Sequence, residues 1–123
     1  MDNATLPNAE PVEKRLVNRI GMVIGIKPDQ IETYKRLHAG LGVRDLLRQA
    51  NIHNFSIFLR QFEDGRFYEF AYCEYTGTDF EADMAWLSAQ PANKEWLALC
   101  DPMQIPLCDE VGWATMESIY YNE

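Results

Sequence analysis

The pair Asp64-Gly65, set between two runs of β-branched and aromatic residues, constrains this fold more than any other feature of the sequence. Ile52 to Leu59 and Phe67 to Tyr75 both read as strands, and the short link Gln61 to Gly65 with its Asp-Gly turn predicts that they pair antiparallel. A lone hairpin is marginal in water, so the rest of the chain must supply further strands and a covering layer.

The flanking segments predict both. Val17 to Ile26 alternates apolar with small or polar residues and reads as a first strand, ended by Lys27-Pro28-Asp29. Pro28 suits the first turn of a helix, Asp29 and Glu32 favour its positive end, and Ile31, Tyr34, His38 and Leu41 recur at spacings of three and four. Gly40 and Gly42 predict a break just after His38, followed by a second segment through Val43, Leu46 and Leu47 to Ala50. Beyond the hairpin, Thr78-Asp79-Phe80-Glu81 has capping-box spacing and opens a helix carrying Phe80, Met84, Trp86 and Leu87, which Pro91 ends. A shorter helical piece from Asn93 to Leu99 and a last strand from Trp113 to Tyr121 complete the chain. The order strand, helix, strand, strand, helix, strand is that of a ferredoxin-like α+β sandwich with an antiparallel sheet. One face of such a sheet is covered by helices; the other would here be bare and aromatic, and homodimerisation across it is expected.

With 123 residues, of which 47% are apolar, the chain is long enough to close one core without disulfide staples. A single domain over residues 15–123 is expected, preceded by a loose arm, residues 1–14, that contains two prolines and little to bury. Cys73, Cys100 and Cys108 form no CxxC pair, and their odd number points to a reducing, cytoplasmic setting. No apolar stretch approaches the length of a membrane span. The net charge is −8, and residues 61–123 carry 2 Lys/Arg against 13 Asp/Glu, so no basic stripe is available for a nucleic acid.

Few residues are placed for chemistry. His38 and His53 are 15 positions apart without HxH or HExxH spacing, which predicts no bound metal. No GxSxG turn and no Gly-rich phosphate loop is present. Tyr34 and His38 remain, one turn apart on the helical face that should meet the sheet. That spacing fits a pocket-edge acid or base; from periodicity alone it fits better a hydrogen-bonded core histidine with a tyrosine packed beside it. Glu95 beside Trp96 fits the solvated acidic surface, and also the carboxylate and aromatic face that a sugar requires.

Taken together, Lys27-Pro28-Asp29, Tyr34-Lys35-Arg36-Leu37-His38, His53-Asn54-Phe55-Ser56-Ile57-Phe58-Leu59, Phe70-Ala71-Tyr72-Cys73-Glu74, Glu95-Trp96 ahead of Asp101-Pro102-Met103-Gln104, and Trp113 with Met116 to Tyr120 resemble the L-rhamnose mutarotase family over about residues 17–121. The resemblance implies a dimeric α+β barrel without a cofactor. It implies His38 as proton donor, Tyr34 as a sugar contact, and Phe55, Glu95 and Trp96 as further substrate-binding positions. Three positions depart from the family pattern. Ala39 to Arg44 replaces the Trp-Pro-Glu that follows the family's histidine, Phe55 stands for a tyrosine, and Glu95 stands for a tryptophan.

The expected activity is therefore the interconversion of the α and β anomers of a free 6-deoxy-hexose, with L-rhamnose first and L-fucose second. Ring opening needs a proton delivered to the ring oxygen and one removed from the anomeric hydroxyl, and an imidazole, titrating near neutral pH, suits that exchange. The alternative is a non-catalytic dimeric α+β-barrel protein that binds a small ligand. A cofactor-free monooxygenase on the same architecture is a third reading, by analogy of fold alone.

Overall fold

A computed structural model describes residues 17–123. The expected arm, residues 1–14, lies outside the described residues. The first strand, β1 (Asn18–Ile26), leads through a 3-10 turn at Pro28–Gln30 into α1 (Ile31–Ala39) and then α2 (Arg44–Gln49). The hairpin strands β2 (Ile52–Gln61) and β3 (Phe67–Tyr75) follow, then α3 (Phe80–Ala89) and α4 (Pro91–Cys100). Two short strands close the chain, β4 (Gln104–Ile105) and β5 (Ala114–Met116).

The sheet runs β2-β3-β1-β4, with β5 also paired to β1, and every pairing is antiparallel. β3 thus lies between β1 and β2, the split arrangement expected for a ferredoxin-like α+β fold. The Asp64-Gly65 turn forms as its residue types dictate: Gly65 takes φ +88°, the Asp64 side chain accepts from Arg66 N at 2.9 Å, and Phe62 N donates to Arg66 O at 2.8 Å.

Alternation decides which residues face the helices. Ile24 and Ile26 of β1 and Glu69, Ala71, Cys73 and Tyr75 of β3 are buried on that side. The core there is divided in two. Ile26, Ile31, Tyr34, Cys100 and Met103 form one cluster, and Ile52, Cys73 and Tyr75 form the other. On the opposite face Phe62 packs edgewise on Tyr68 at 5.0 Å, and Phe58 is 64% exposed.

Local differences from the sequence expectations have physical causes. α1 stops at Ala39, as the Gly40 and Gly42 pair predicts, and does not extend to Leu41, which is exposed in the loop. α3 is capped by Asp79, whose side chain accepts from Ala82 N at 3.1 Å, in place of the expected Thr78–Glu81 box. The Asp79 N–H is itself held by the Tyr75 hydroxyl at 3.0 Å. Pro91 does not merely end a helix: it opens α4 at the first turn, where its missing N–H costs nothing, so the second helical piece is longer than Asn93–Leu99. The expected strand from Trp113 to Tyr121 shrinks to three residues, which pair with Gly21–Val23 beside the two that β4 pairs with Gly25 and Ile26.

Candidate functional site

Neither core cluster fills the space between sheet and helices. A cavity of about 680 Å³ remains there, lined by members of both clusters, and that size is typical of small-molecule sites. Its polar content comes from a few convergent side chains.

The first is His38. Helical spacing puts it one turn after Tyr34, and the two rings stack with centroids 4.1 Å apart and planes 25° off parallel. His38 Nδ1 donates to the Tyr34 backbone oxygen at 2.8 Å. A carbonyl can only accept, so the Nδ1 proton is fixed, and Nε2 is left to take or give a proton. The edge of Trp96, from α4, meets the imidazole at 5.0 Å. Against that indole runs the loop from Ala39 to Arg44. Gly42 takes φ +57° there, and a side chain added to it would begin 3.4 Å from the Trp96 ring.

The second group is Glu69, on the helix-facing side of β3 and 2% exposed. Gln104 Nε2 donates both to the Glu69 carboxyl, at 3.3 Å, and to the Tyr34 hydroxyl, at 3.1 Å. The Tyr34 hydroxyl and the Glu69 carboxyl thus share one amide, and each lies close enough to shift the other's titration. Burial pushes the Glu69 carboxyl up to about 7, against the lowering effect of the Gln104 and Tyr34 hydrogen bonds. Burial and the negative charge of Glu69 raise the Tyr34 phenol as well, and burial lifts the Cys100 thiol to about 11.

Four of the five sequence-predicted site residues come together: His38, Tyr34, Phe55 and Trp96 all line the cavity. Phe55 does so through a bulge. Between the pairs His53–Glu74 and Ser56–Tyr72, both Asn54 and Phe55 stand opposite Cys73, with Asn54 at φ +53° and its amide on the Glu74 carboxylate at 3.0 Å. Glu95 differs: it is exposed on α4 and outside the lining, although its neighbour Trp96 is part of it. Sequence reasoning missed Glu69, Gln104 and Trp113, which also line the cavity. Glu69 carried a readable signal, since it is the one charged residue among the helix-facing positions Phe67, Glu69, Ala71, Cys73 and Tyr75. Among the described residues no group of three His, Cys, Asp or Glu side chains is placed to hold a metal ion.

An α+β fold of ferredoxin-like type, with an imidazole and a buried carboxyl lining one half-open cavity, is the arrangement of a small-molecule site that can transfer protons. The sequence profile of L-rhamnose mutarotase matches residues 19–122, and the chain belongs to that family. Among solved structures it is similar to the L-rhamnose mutarotase of Formosa agariphila, with a TM-score of 0.64 and 19% identity over 86% of this chain and 99% of that one. A candidate antibiotic biosynthesis monooxygenase from Nitrosomonas europaea shares the fold at a TM-score of 0.55 and 15% identity, over 85% of this chain and 92% of that one. No curated protein matches the sequence.

Proposed function

We propose that this protein is a sugar mutarotase that exchanges the α and β anomers of a free 6-deoxy-hexose, L-rhamnose before L-fucose, with His38 as the proton donor. One observation carries the reading: His38 has Nδ1 tied to its own helix at 2.8 Å and lines a cavity of about 680 Å³ with Nε2 uncommitted. Family membership and the Formosa agariphila neighbour support the substrate class.

In the proposed reaction imidazolium Nε2–H protonates the ring oxygen as the bond from it to the anomeric carbon breaks. The open aldehyde turns about its first carbon–carbon bond and recloses on the other face. Tyr34 fixes the imidazole by stacking, while Phe55 and Trp96 offer apolar surface to the sugar's carbon–hydrogen faces. Glu95, outside the lining, has no part in this contact set. Proton transfer alone opens and closes the ring, so the reaction asks for no cofactor.

The same reading includes a homodimer formed across the aromatic sheet face of Phe58, Tyr68 and Phe70, an acidic protein with no nucleic-acid partner, and a single domain over residues 15–123. A cytoplasmic location is supported by three free cysteines, two of them buried. Among the described residues no helix is long and apolar enough to cross a membrane.

The test is saturation-transfer NMR of anomeric protons on L-rhamnose, L-fucose and other free monosaccharides, with wild type and His38→Ala in parallel. Acceleration on a 6-deoxy-hexose that falls by about 10²–10⁴ in a folded His38→Ala protein is expected. Full turnover in that variant removes His38 from the mechanism. No acceleration on any sugar replaces the enzyme reading with that of a non-catalytic ligand-binding barrel.

A further inference from the structure

Glu69 is an expensive residue to keep for structure alone. It is a carboxyl at 2% exposure on a strand whose other helix-facing neighbours, Ala71, Cys73 and Tyr75, are ordinary core. An ionised carboxylate taken out of water needs a cation to compensate it, and none is bonded to this one. The positive groups of the cavity wall are committed elsewhere: Lys35 pairs with Glu32 at 3.6 Å, and Arg44 donates to the backbone oxygens of Gly40 and His38. The titratable groups that face Glu69 are the Tyr34 hydroxyl from α1 and the Cys100 thiol from α4, with Asp101 beyond the thiol. A leucine would fill this space at no such cost, and a glutamine would keep the hydrogen bonds.

What the carboxyl does have is position. Tyr34 links it to His38, with the phenol ring stacked on the imidazole and the phenol oxygen held by the same Gln104 amide as the carboxyl. Gln104 occupies one of roughly four acceptor sites on a carboxylate, and Glu69 is part of the lining of the cavity that His38 also lines. The two proton-transfer groups therefore face one space from two different elements, α1 and β3.

We propose that Glu69 is the second catalytic group of this site, the base that removes the proton from the anomeric hydroxyl while His38 protonates the ring oxygen. The proposal rests on the mutarotase reading and names the partner that the reading lacks. As the hydroxyl proton passes to Glu69, its oxygen forms the carbonyl bond, the anomeric carbon releases the ring oxygen, and the ring oxygen takes the proton of the His38 imidazolium. The enzyme then holds a protonated carboxyl and a neutral imidazole. Reclosure reverses both transfers: His38 takes the proton of the attacking hydroxyl and Glu69 returns its own to the carbonyl oxygen. No electron acceptor, metal or water is consumed, and the starting protonation states are restored.

The experiment is anomer exchange by NMR as a function of pH on the sugar that wild type accelerates, with Glu69→Gln, Glu69→Asp and His38→Ala compared. Glu69→Gln is expected to lose about 10²–10⁴-fold in kcat with a small change in KM, and to lose the acid limb of a bell-shaped wild-type profile, the limb along which the rate grows as the carboxyl ionises. Glu69→Asp keeps the acid on a shorter stem and is expected to recover part of the rate and that limb. Wild-type rate and an unchanged profile in Glu69→Gln, beside a dead His38→Ala, overturn the role of Glu69 and leave the mutarotase reading intact. If Glu69→Gln does not fold, the wild-type profile decides, since a rate independent of pH from about 5 to 8 overturns the role equally. Wild type inert on every sugar overturns both.

Discussion

Replacing Glu69 by glutamine is expected to change how the protein's stability depends on pH more than its stability at any one pH. The folded structure raises this carboxyl from an ordinary 4.5 to about 7 because burial penalises its charge. Below about pH 4.5 the folded and unfolded chains both hold the proton. Between there and about 7 the unfolded chain releases it and the folded chain keeps it, so rising pH favours unfolding; above about 7 both are ionised and the dependence ends. At about 1.4 kcal/mol per tenfold change, the full effect is about 3 kcal/mol, and at 2% exposure little of it is screened by solvent. Urea unfolding of wild type and Glu69→Gln at several values from about pH 5 to 8 isolates this group, because every other titration is shared by the two proteins. Wild type is expected to lose about 2.5 kcal/mol relative to the variant across that range, the rest of the effect falling below pH 5. A constant difference between them would refute the reasoning, for it would mean that the carboxyl ionises in the folded protein much as it does in the unfolded chain.

Two further outcomes follow from packing. A methyl group at Gly25 would stand 2.8 Å from the Ile105 carbonyl oxygen, so Gly25→Ala is expected to cost about 1–3 kcal/mol in thermal or urea unfolding and to lower exchange by displacing β4. Phe58→Lys, on the exposed aromatic face, is expected to convert a dimer to a monomer in size-exclusion chromatography with light scattering, and a variant that elutes as wild type places any dimer contact elsewhere.

Much of this fold was legible because local signals agreed with one another. The Asp64-Gly65 turn, the alternation of β1 and β3, and the double glycine after His38 each have one inexpensive conformation, and the chain adopts it. What the sequence obscured depends on partners distant in the chain. The two-residue strand β4 has no periodicity to read and exists because β1 offers it an edge. Asp79 rather than Thr78 caps α3, with the Tyr75 hydroxyl already holding its N–H. At the site, Tyr34 and His38 were visible from helical spacing, since one element carries both. Glu69 and Gln104 come from two strands 35 residues apart, and only the folded sheet brings their side chains onto one phenol. Glu95 and Trp96 show the reverse: adjacent in sequence, they point to different surroundings because a helix turns about 100° between them.

The amide of Gln104 holds two groups of the site at once, yet its backbone belongs to an edge strand that pairs over only two residues. Short edge pairings open at a small fraction of the free energy needed to unfold a domain. When β4 frays, both bonds of that amide break together, and Tyr34 and Glu69 lose their shared anchor in a single event. The site therefore has a lifetime of its own, set by the exchange of two edge residues with solvent and shorter than that of the core behind it. Warming such a protein would loosen the arrangement of its proton carriers well before the sheet itself gave way.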